Sequence, residues 1–429
     1  MTKPRDNKKS SWTFLGEAIL RWGRRHGVSL FLMLVLFIQL MSFTSEGFSP
    51  WILLFHKISY QEFGFISRAF LGSTVHCIGL GEASFSTLYT YVFCLSFGGI
   101  LLASFWLGKI VAHAAKREKT GVLYLATLLG LSPFFLRHLF ISGMFGRMDI
   151  ILVCCFIITC WLITIRKVWA TGCVPVVCLI AMLSHHGFYF MFFPAVFLIY
   201  LYSTNKRSSL WLLGLFFIFM SLAFLYLQFL GKPVVGMEIF SQRTGVYGIP
   251  VLFEYYGTLM DHWKHLEPRL FREFGRLFVN LLILSPIILL IGFLWWKAGL
   301  FARNKLNCEQ GGRTVKKILC ITLGIPILTL PLFLGVDWGR WIASILTSQC
   351  AVLLTLASLD DPPVQYAFQE LSATIKKRPL CAIMLLIYTI VLPGTRESGI
   401  SFPRFNEMKE LAKIQTITSG EMQRLQQEP

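Results

Sequence analysis

Of the 429 residues, 55% are hydrophobic and only 14% are charged, and the mean hydropathy is +0.63. A soluble domain carries about a quarter charged residues, interspersed among the apolar ones. Here the apolar residues form blocks that match the ~30 Å hydrocarbon core of a bilayer, where only helices satisfy the backbone polar groups of such a block. The composition excludes a soluble globular domain and predicts an all-α, polytopic transmembrane helical bundle.

Eleven apolar blocks follow one another along the chain, and each predicts a membrane-spanning helix. The predicted spans are 27–45, 86–108, 121–141, 150–165, 172–184, 187–203, 209–230, 277–296, 318–335, 342–358 and 380–393. The fifth is short enough for a re-entrant or half-depth helix, so the total is uncertain by one or two. These spans define a transmembrane domain over 1–393 and a short tail over 394–429. The basic, hydrophilic start indicates a start-transfer helix rather than a cleaved signal peptide.

Charge is divided unevenly between the segments that join the spans. With the N-terminus inside, segments 1–26, 109–120, 166–171, 204–208, 297–317 and 359–379 hold 24 of the 40 Lys and Arg but only 7 of the 22 Asp and Glu. That is a net charge of +17 out of a formal +18, as the positive-inside rule requires. The excess indicates insertion and contact with anionic lipids, not a nucleic-acid partner. We predict a multi-pass protein of the inner (cytoplasmic) membrane with a cytoplasmic N-terminus and an extracytoplasmic C-terminus.

The first long outer loop, 46–85, contains a candidate general base. Glu62 and Arg68 stand among Phe63, Phe65 and Phe70. A carboxylate beside aromatic rings and a membrane surface is partly desolvated, which makes it a better proton acceptor. The alternative is an interfacial helix on which both charges face water.

Two short outer turns add further charged groups. Asp149 immediately precedes an apolar block, which suits a helix N-cap, whereas Arg147 beside it suits contact with a phosphate. His185 and His186 end the fifth predicted span. Adjacent histidines on a helix point in different directions and make a poor pair of metal ligands. One of them is expected to hydrogen-bond a polar substrate or another loop, and a plain interfacial role is the alternative.

The turn between the ninth and tenth spans contains Asp337 and Arg340, three residues apart and able to pair with each other. Trp338 and Trp341 in the same turn suit the aromatic belt at the lipid boundary, although a Trp face also stacks on a sugar ring. The second long outer loop, 231–276, ends in an arginine stripe on one helical face. Its members are Arg269, Arg272 and Arg276. Such a stripe suits either a lipid-linked pyrophosphate or a solvated face near headgroups.

Together these features resemble the GT-C superfamily of membrane glycosyltransferases. The resemblance covers most of the chain as architecture: an acid in the first outer loop, short turns with Arg and Asp, and a second long outer loop. At the level of sequence motifs, the resemblance covers about thirty residues. The blocks that carry it are 64–72, 146–149, 185–188 and 337–341, and they are similar to blocks in uncharacterised bacterial multi-spanning proteins found with surface-polysaccharide genes.

The resemblance implies transfer of a sugar from a polyprenyl-phosphate-linked donor to a cell-envelope glycan or lipid acceptor on the extracytoplasmic face. Glu62 matches the catalytic acid by position, although most relatives have Asp there, and Glu46 and Glu82 are rivals. In an inverting transfer, Glu62 takes the proton of the acceptor hydroxyl. The residues expected to bind substrate or phosphate are Arg68, Arg147, Asp149, His185, His186, Asp337, Arg340 and Arg272. No cofactor is required, and a divalent cation stays an open possibility.

Other functions remain open from the sequence. An O-antigen polymerase or ligase is also polytopic and has Arg-rich outer loops. A lipid-linked saccharide flippase or other carrier needs a charged cavity reached from both faces, but the centres of the long spans contain almost no ionisable residue, which counts against it. A purely structural membrane subunit is the third alternative. The eleven cysteines form no CxxC pair, so neither a disulfide framework nor a zinc site is predicted.

Overall fold

A computed structural model gives the fold of the chain. It describes residues 26–38, 55–79, 85–114, 119–132, 134–135, 139, 147–203, 207–244, 256, 267, 270–331, 338–391, 395–396 and 399–400. These parts are helical apart from turns and one antiparallel pair of two-residue strands, β1 (Thr395–Arg396) and β2 (Gly399–Ile400). The predicted all-helical class is confirmed.

The helices follow the apolar blocks of the sequence. In chain order they are α1 (His26–Ile38), α2 (Tyr60–Phe63), α3 (Ala69–Cys77), α4 (Phe85–Ala114), α5 (Lys119–Leu131), α6 (Asp149–Ile165), α7 (Val168–Ser184), α8 (Phe188–Met191), α9 (Phe193–Ser203), α10 (Arg207–Leu225), α11 (Met237–Thr244), α12 (Leu270–Lys305), α13 (Cys308–Thr329), α14 (Trp338–Ser358), α15 (Pro362–Lys377) and α16 (Pro379–Val391). A 3₁₀ turn at Phe55–Lys57 precedes α2, and a π-helical turn at Tyr226–Leu230 extends α10.

Within the described residues, four helices are long and apolar enough to cross a membrane. They are Ser86–His113 in α4, Leu210–Leu230 in α10 with its π-helical extension, Leu277–Lys305 in α12 and Gly339–Ser358 in α14. Shorter apolar helices of 10 to 17 residues are α1, α5, α6, α7, α9 and α16. Ten of the eleven predicted segments coincide with one of these ten apolar helices, whereas the ninth, 318–335, falls on α13, which is not among them. The fifth segment is longer than predicted, because α7 begins at Val168 rather than at 172.

The bundle is held together by polar contacts as well as by apolar packing. Pro326 lies inside α13 and has no N–H for the carbonyl of Thr322, four residues earlier. The Gln349 side-chain amide, on α14, donates to that carbonyl at 3.2 Å, and Trp295 Nε1 of α12 donates to Gln349 Oε1 at 2.8 Å. One buried glutamine thus satisfies the carbonyl released by the proline and joins three helices.

The described parts of several segments predicted to lie inside meet at one end of the bundle, here called the basic end. Asp361 is the N-cap of α15, accepting from the Val364 N–H at 3.1 Å. Its carboxylate also accepts from the Tyr202 hydroxyl at 3.0 and 3.1 Å, and Lys317 Nζ donates to the Tyr202 carbonyl at 2.8 Å. Arg166 Nη2 donates to the carbonyl of Leu359. Segments far apart in sequence therefore share one end, as the charge count predicted.

Helix α15 is a feature that the sequence analysis missed, because its apolar residues are spaced around one helical face rather than gathered in a block. Val364, Ala367 and Phe368 are fully buried against the rest of the bundle. Glu370 also lies on α15, and its Oε2 atom pairs with Lys297 Nζ of α12 at 2.6 Å. The segment 359–379 is therefore a docked amphipathic helix and not a simple connection.

At the opposite end, here called the motif end, parts of the two long outer loops pack on each other. This cap consists of residues 55–77 and 234–244, and its apolar cluster includes Phe55, Ile58, Phe63 and Phe240. The Val234 N–H donates to the Phe63 carbonyl at 3.1 Å. Within this cap, Gly72 allows a close approach of two backbone segments, because a Cβ at this position would lie 1.9 Å from the Ile58 carbonyl oxygen. The described part of the first outer loop, 55–79, is thus a folded unit and not a single interfacial helix.

Candidate functional site

The first outer loop contacts the end of α7 through two adjacent residue pairs. Arg68 Nη2 lies 3.0 Å from His185 Nε2, and Ser67 Oγ lies 2.5 Å from His186 Nδ1. The two imidazole ring centroids are 5.2 Å apart. The expectation that a histidine of this pair hydrogen-bonds another loop is confirmed by His186, which bonds Ser67. Ser67, which the sequence analysis did not single out, supplies one of these contacts.

Arg68 adopts a backbone conformation that is uncommon for a residue with a side chain. Its φ of +68° lies in the left-handed region, at the position just before α3 begins. Its guanidinium carbon lies 4.6 Å from the centroid of the Phe55 ring, a cation–π contact. Strained conformations of this kind persist where the surrounding structure enforces them, and they are frequent at functional sites. The fold therefore directs the Arg68 side chain toward His185.

His185 is buried directly after α7 ends at Ser184. Its backbone is extended, its N–H donates to the Ala181 carbonyl, and its Nδ1 accepts from the Gly187 N–H at 2.9 Å. Burial lowers the pKa of the imidazole well below its usual range, and nearby positive charge lowers it further. The groups that supply this charge are Arg68, His186, Arg340 and Arg147. His185 is consequently neutral at physiological pH, and Arg147 and Arg340 belong to its surroundings.

The buried carboxylate of this end pairs with an arginine from a distant helix. Arg340 Nη1, at the start of α14, lies 3.4 Å from Asp149 Oδ2, and the side chains of Arg340 and Asp149 are 11% and 2% exposed. The N-cap interpretation of Asp149 is wrong: α6 begins at Asp149 itself, Met148 is the N-cap, and the carboxylate pairs with Arg340 instead. The first turn of α6 therefore positions Asp149, and the positive charge of Arg340 stabilises its carboxylate.

Of the two predictions for the turn before α14, the pairing of Asp337 with Arg340 stays a prediction and the position of Trp341 is wrong. Asp337, expected to pair with Arg340, lies outside the described residues, and the carboxylate found beside Arg340 is that of Asp149. Trp341 was expected in the lipid-facing aromatic belt, but it is only 6% exposed. Its ring lies 4.4 Å from the guanidinium carbon of Arg340. Burial makes Trp341 part of the support of Arg340 rather than a membrane anchor.

Other candidates lie apart from this cluster or outside the described residues. Glu62 is half-buried on α2, and it makes no hydrogen bond or ion pair with another residue in the described part of the chain. Arg272 falls in the first turn of α12, but the placement of its side chain is not described. Glu46 and Glu82, the rivals of Glu62, also lie outside the described residues. Their roles remain predictions.

The assembled cluster has a definite electrostatic character. Arg68, Arg147 and Arg340 bring three positive charges to one buried histidine, and Asp149 returns one negative charge. Among the described residues, no group of three or more His, Cys, Asp or Glu is arranged to hold a metal ion. An anion is the ligand that this charge and this number of N–H donors favour.

Comparisons of the chain with protein-family models, with curated proteins and with solved structures found no match. The interpretation of the cluster therefore depends on its own residues. Two of its arginines are oriented by named partners: Arg68 by Phe55 and Arg340 by Asp149. Phe55, Ser67 and the Gly187 N–H were missed as site groups, because nothing in their local sequence shows which distant segment they contact.

Proposed function

We propose that the protein is an integral-membrane glycosyltransferase of the GT-C type, with about eleven spans. It transfers a sugar from a polyprenyl-phosphate-linked donor to a cell-envelope glycan or lipid acceptor at the motif end. The observation that carries this proposal is the convergence of Arg68, Arg147 and Arg340 around neutral His185, with the buried carboxylate of Asp149 beside Arg340. A lipid-borne phosphate is an anion that a membrane protein can bind with such a group of arginines.

The arginines would act on the leaving group. As the bond between the anomeric carbon and the phosphate oxygen breaks, its electron pair passes to the phosphate, whose negative charge grows. Donors that are already oriented stabilise this charge without reorganising in the transition state. Asp149 and Trp341 hold Arg340 from two sides, at 3.4 Å and 4.4 Å, so its guanidinium is fixed before substrate binds.

Glu62 is the proposed general base. It lies six residues before Arg68 in the same folded loop. Its carboxylate would take the proton of the acceptor hydroxyl while the acceptor oxygen bonds to the anomeric carbon, with inversion. Because no described residue pairs with this carboxylate, it is available to a substrate. Metal-independent catalysis suffices for this scheme, and a divalent cation is an alternative means of stabilising the phosphate.

The orientation of the protein follows from its basic end. The Lys and Arg excess of that end favours the cytoplasm, which puts the motif end and the C-terminal tail outside and the protein in the inner membrane. The buried face of α15 is packed at the basic end. This favours a site served from one side of the membrane over a carrier that opens to both.

The test is a transfer assay with the purified full-length protein in lipid vesicles, supplied with polyprenyl-phosphate-linked hexoses and an envelope-lipid acceptor. Glu62→Gln should lower turnover about 100-fold or more while it preserves donor binding. Glu238→Gln, an exposed acid of α11 at the same end, is the matched control and should retain full activity. In cells, a deletion strain complemented with Glu62→Gln should lack the glycan that the wild-type gene restores.

Two results would contradict the proposal. If Glu62→Gln retains full turnover, Glu62 is not the general base. Movement of a labelled lipid-linked saccharide across the vesicle membrane, with no sugar transfer, identifies a carrier. A requirement for a lipid-linked oligosaccharide as both donor and acceptor would identify a polymerase.

A further inference from the structure

The junction between α15 and α16 marks an abrupt change in the surface of the bundle. Helix α15 ends at Lys377, Arg378 is its C-cap, and α16 begins at Pro379, which cannot continue the hydrogen bonding of α15. Three exposed basic side chains, here called the basic junction, precede this proline: Lys376, Lys377 and Arg378. After it, the exposed side chains of α16 are apolar and include Leu380, Ile383, Met384 and Ile387. The surface therefore changes from basic to apolar within one helical turn.

Two tyrosine hydroxyls attach α16 to the bundle. Tyr124 of α5 donates to the Ala382 carbonyl at 2.9 Å, and Tyr388 of α16 donates to the Ile283 carbonyl of α12 at 2.6 Å. Leu380, directly after the proline, is nevertheless 70% exposed. An apolar face this open, on a protein with membrane-spanning helices, suits contact with acyl chains. The basic junction thus lies at the edge of the hydrocarbon region.

A tryptophan on the neighbouring helix indicates the same boundary. Lys297 of α12 pairs with Glu370 of α15 at 2.6 Å, which brings this part of α12 to the level of α15. The adjacent Trp296 is 58% exposed, and its ring lies 5.3 Å from Lys297 Nζ. Exposed tryptophans beside basic residues are typical of the headgroup region of a bilayer. Helix α15 therefore approaches headgroup level on the side where the basic junction is exposed.

Acidic residues are scarce around the basic junction. Glu370 is the one acid in the sequence of α15, and it is paired with Lys297, whereas Lys377 adds only a weaker attraction to it. In the described part of the chain, the helices packed most extensively on α15 and α16 are α5, α12 and α14. No Asp or Glu occurs in their sequences over 119–131, 277–305 and 338–358. The basic junction therefore presents net positive charge to the lipid.

We propose that the basic junction binds the headgroup of an anionic phospholipid in the leaflet at the basic end, with the acyl chains of this lipid along the exposed face of α16. Lysine stems reach from an apolar edge to the headgroups, and a guanidinium holds a phosphate through several N–H donors. A zwitterionic headgroup brings its own positive charge and gains less from three basic side chains. This site lies apart from the motif end and is independent of sugar transfer there.

The test is a competition between phosphatidylglycerol and phosphatidylcholine with identical acyl chains. The purified full-length protein is incubated with equal amounts of both lipids in detergent micelles, and the retained lipids are counted by native mass spectrometry. The wild type should retain phosphatidylglycerol about tenfold more often. Phosphatidylglycerol with a photoactivatable diazirine in one acyl chain should form its adducts on α16.

Variants of the basic junction test the role of charge. The combination of Lys376→Gln, Lys377→Gln and Arg378→Gln should bring the retention ratio close to one. Because the three side chains are exposed, the thermal unfolding temperature should stay nearly unchanged. The combination of Lys376→Arg and Lys377→Arg conserves the charge and should conserve the preference.

The matched control removes three exposed basic charges elsewhere at the basic end, around the turn between α12 and α13. It combines Arg303→Gln, Lys305→Gln and Lys316→Gln, and it should retain the preference for phosphatidylglycerol. An equal loss of preference in this control would show that net charge, and not the basic junction, selects the lipid, and it would overturn the proposal.

Three further results would overturn it. They are equal retention of both lipids by the wild type, a preference that persists in the folded glutamine variant of the basic junction, and diazirine adducts that fall outside α16. Displacement of phosphatidylglycerol by an excess of glycerol phosphate would identify a site for soluble anions instead of a lipid site. Each of these results leaves sugar transfer at the motif end untouched, so the two proposals fail separately.

Discussion

The Asp149–Arg340 pair makes the most quantitative prediction. The nearest oxygen and nitrogen are 3.4 Å apart, and the two side chains are 2% and 11% exposed. At an effective dielectric constant of about 20, unit charges at this separation attract by about 5 kcal/mol. Desolvation of both groups offsets much of this attraction in the intact pair. Removal of Arg340, however, leaves the Asp149 carboxylate buried without the cation that faces it, and removal of Asp149 takes the same attraction from a buried Arg340.

We therefore expect Asp149→Asn and Arg340→Gln each to lower the free energy of unfolding by about 3–5 kcal/mol. The double variant, which leaves no unpaired charge, should cost clearly less than the sum of the two. The coupling energy should be about 2 kcal/mol or more. The assay is an equilibrium titration with SDS in mixed micelles, followed by tryptophan fluorescence, on the wild type and the three variants.

Glu309 and Arg313 provide the matched control. They also form an ion pair, but their side chains are 78% and 75% exposed. The same cycle with Glu309→Gln and Arg313→Gln should give no measurable coupling, because solvent screens exposed pairs. If the Asp149–Arg340 cycle is additive within about 0.5 kcal/mol, the two groups do not interact as described and the cluster loses its buried carboxylate.

Three further predictions follow from single contacts. Gly72→Ala should unfold the cap, seen as faster proteolysis of the first outer loop, whereas Gly98→Ala, where an added Cβ meets nothing within 4 Å, should not. Gln349→Leu should cost about 1–3 kcal/mol in the same SDS titration, because it leaves a buried carbonyl and the indole N–H of Trp295 without partners. The lowered pKa of His185 means that the folded state binds fewer protons than the unfolded one below pH about 6.5, so stability should fall as pH falls through that value, by up to about 1.4 kcal/mol per unit. His185→Phe should remove that slope from the unfolding midpoints.

The positions of the apolar helices were predictable because membrane solvation acts on each segment separately. The sharing of one end by distant basic segments was equally predictable, since Lys and Arg counts reflect insertion rather than packing. Helix α15 was not predicted, because an amphipathic docked helix has no continuous apolar block. Its buried face at Val364, Ala367 and Phe368 is visible only once α12 and α5 are positioned beside it.

The candidate site was predictable as a set of residues but not as a set of pairs. His185 and His186 were expected to reach another loop, yet nothing in the sequence identified Ser67 and Arg68 as their partners. Spacing favoured an Asp337–Arg340 pair and an N-cap for Asp149. The fold joins Arg340 to Asp149, 191 residues away, and this contact replaces the predicted N-cap role of Asp149, whereas the Asp337–Arg340 pair stays a prediction. Local rules propose local partners, whereas a buried charge takes the partner that the bundle brings to it.

A structure of the full-length protein with farnesyl phosphate, determined by electron cryo-microscopy, tests the central claim most directly. The account predicts phosphate density at the motif end, within hydrogen-bond distance of His185 Nε2 and the Arg68 guanidinium and close to Arg340. Density for the phosphate at the basic end, or a motif end in which Arg68, His185 and Arg340 face separate surroundings, would contradict it.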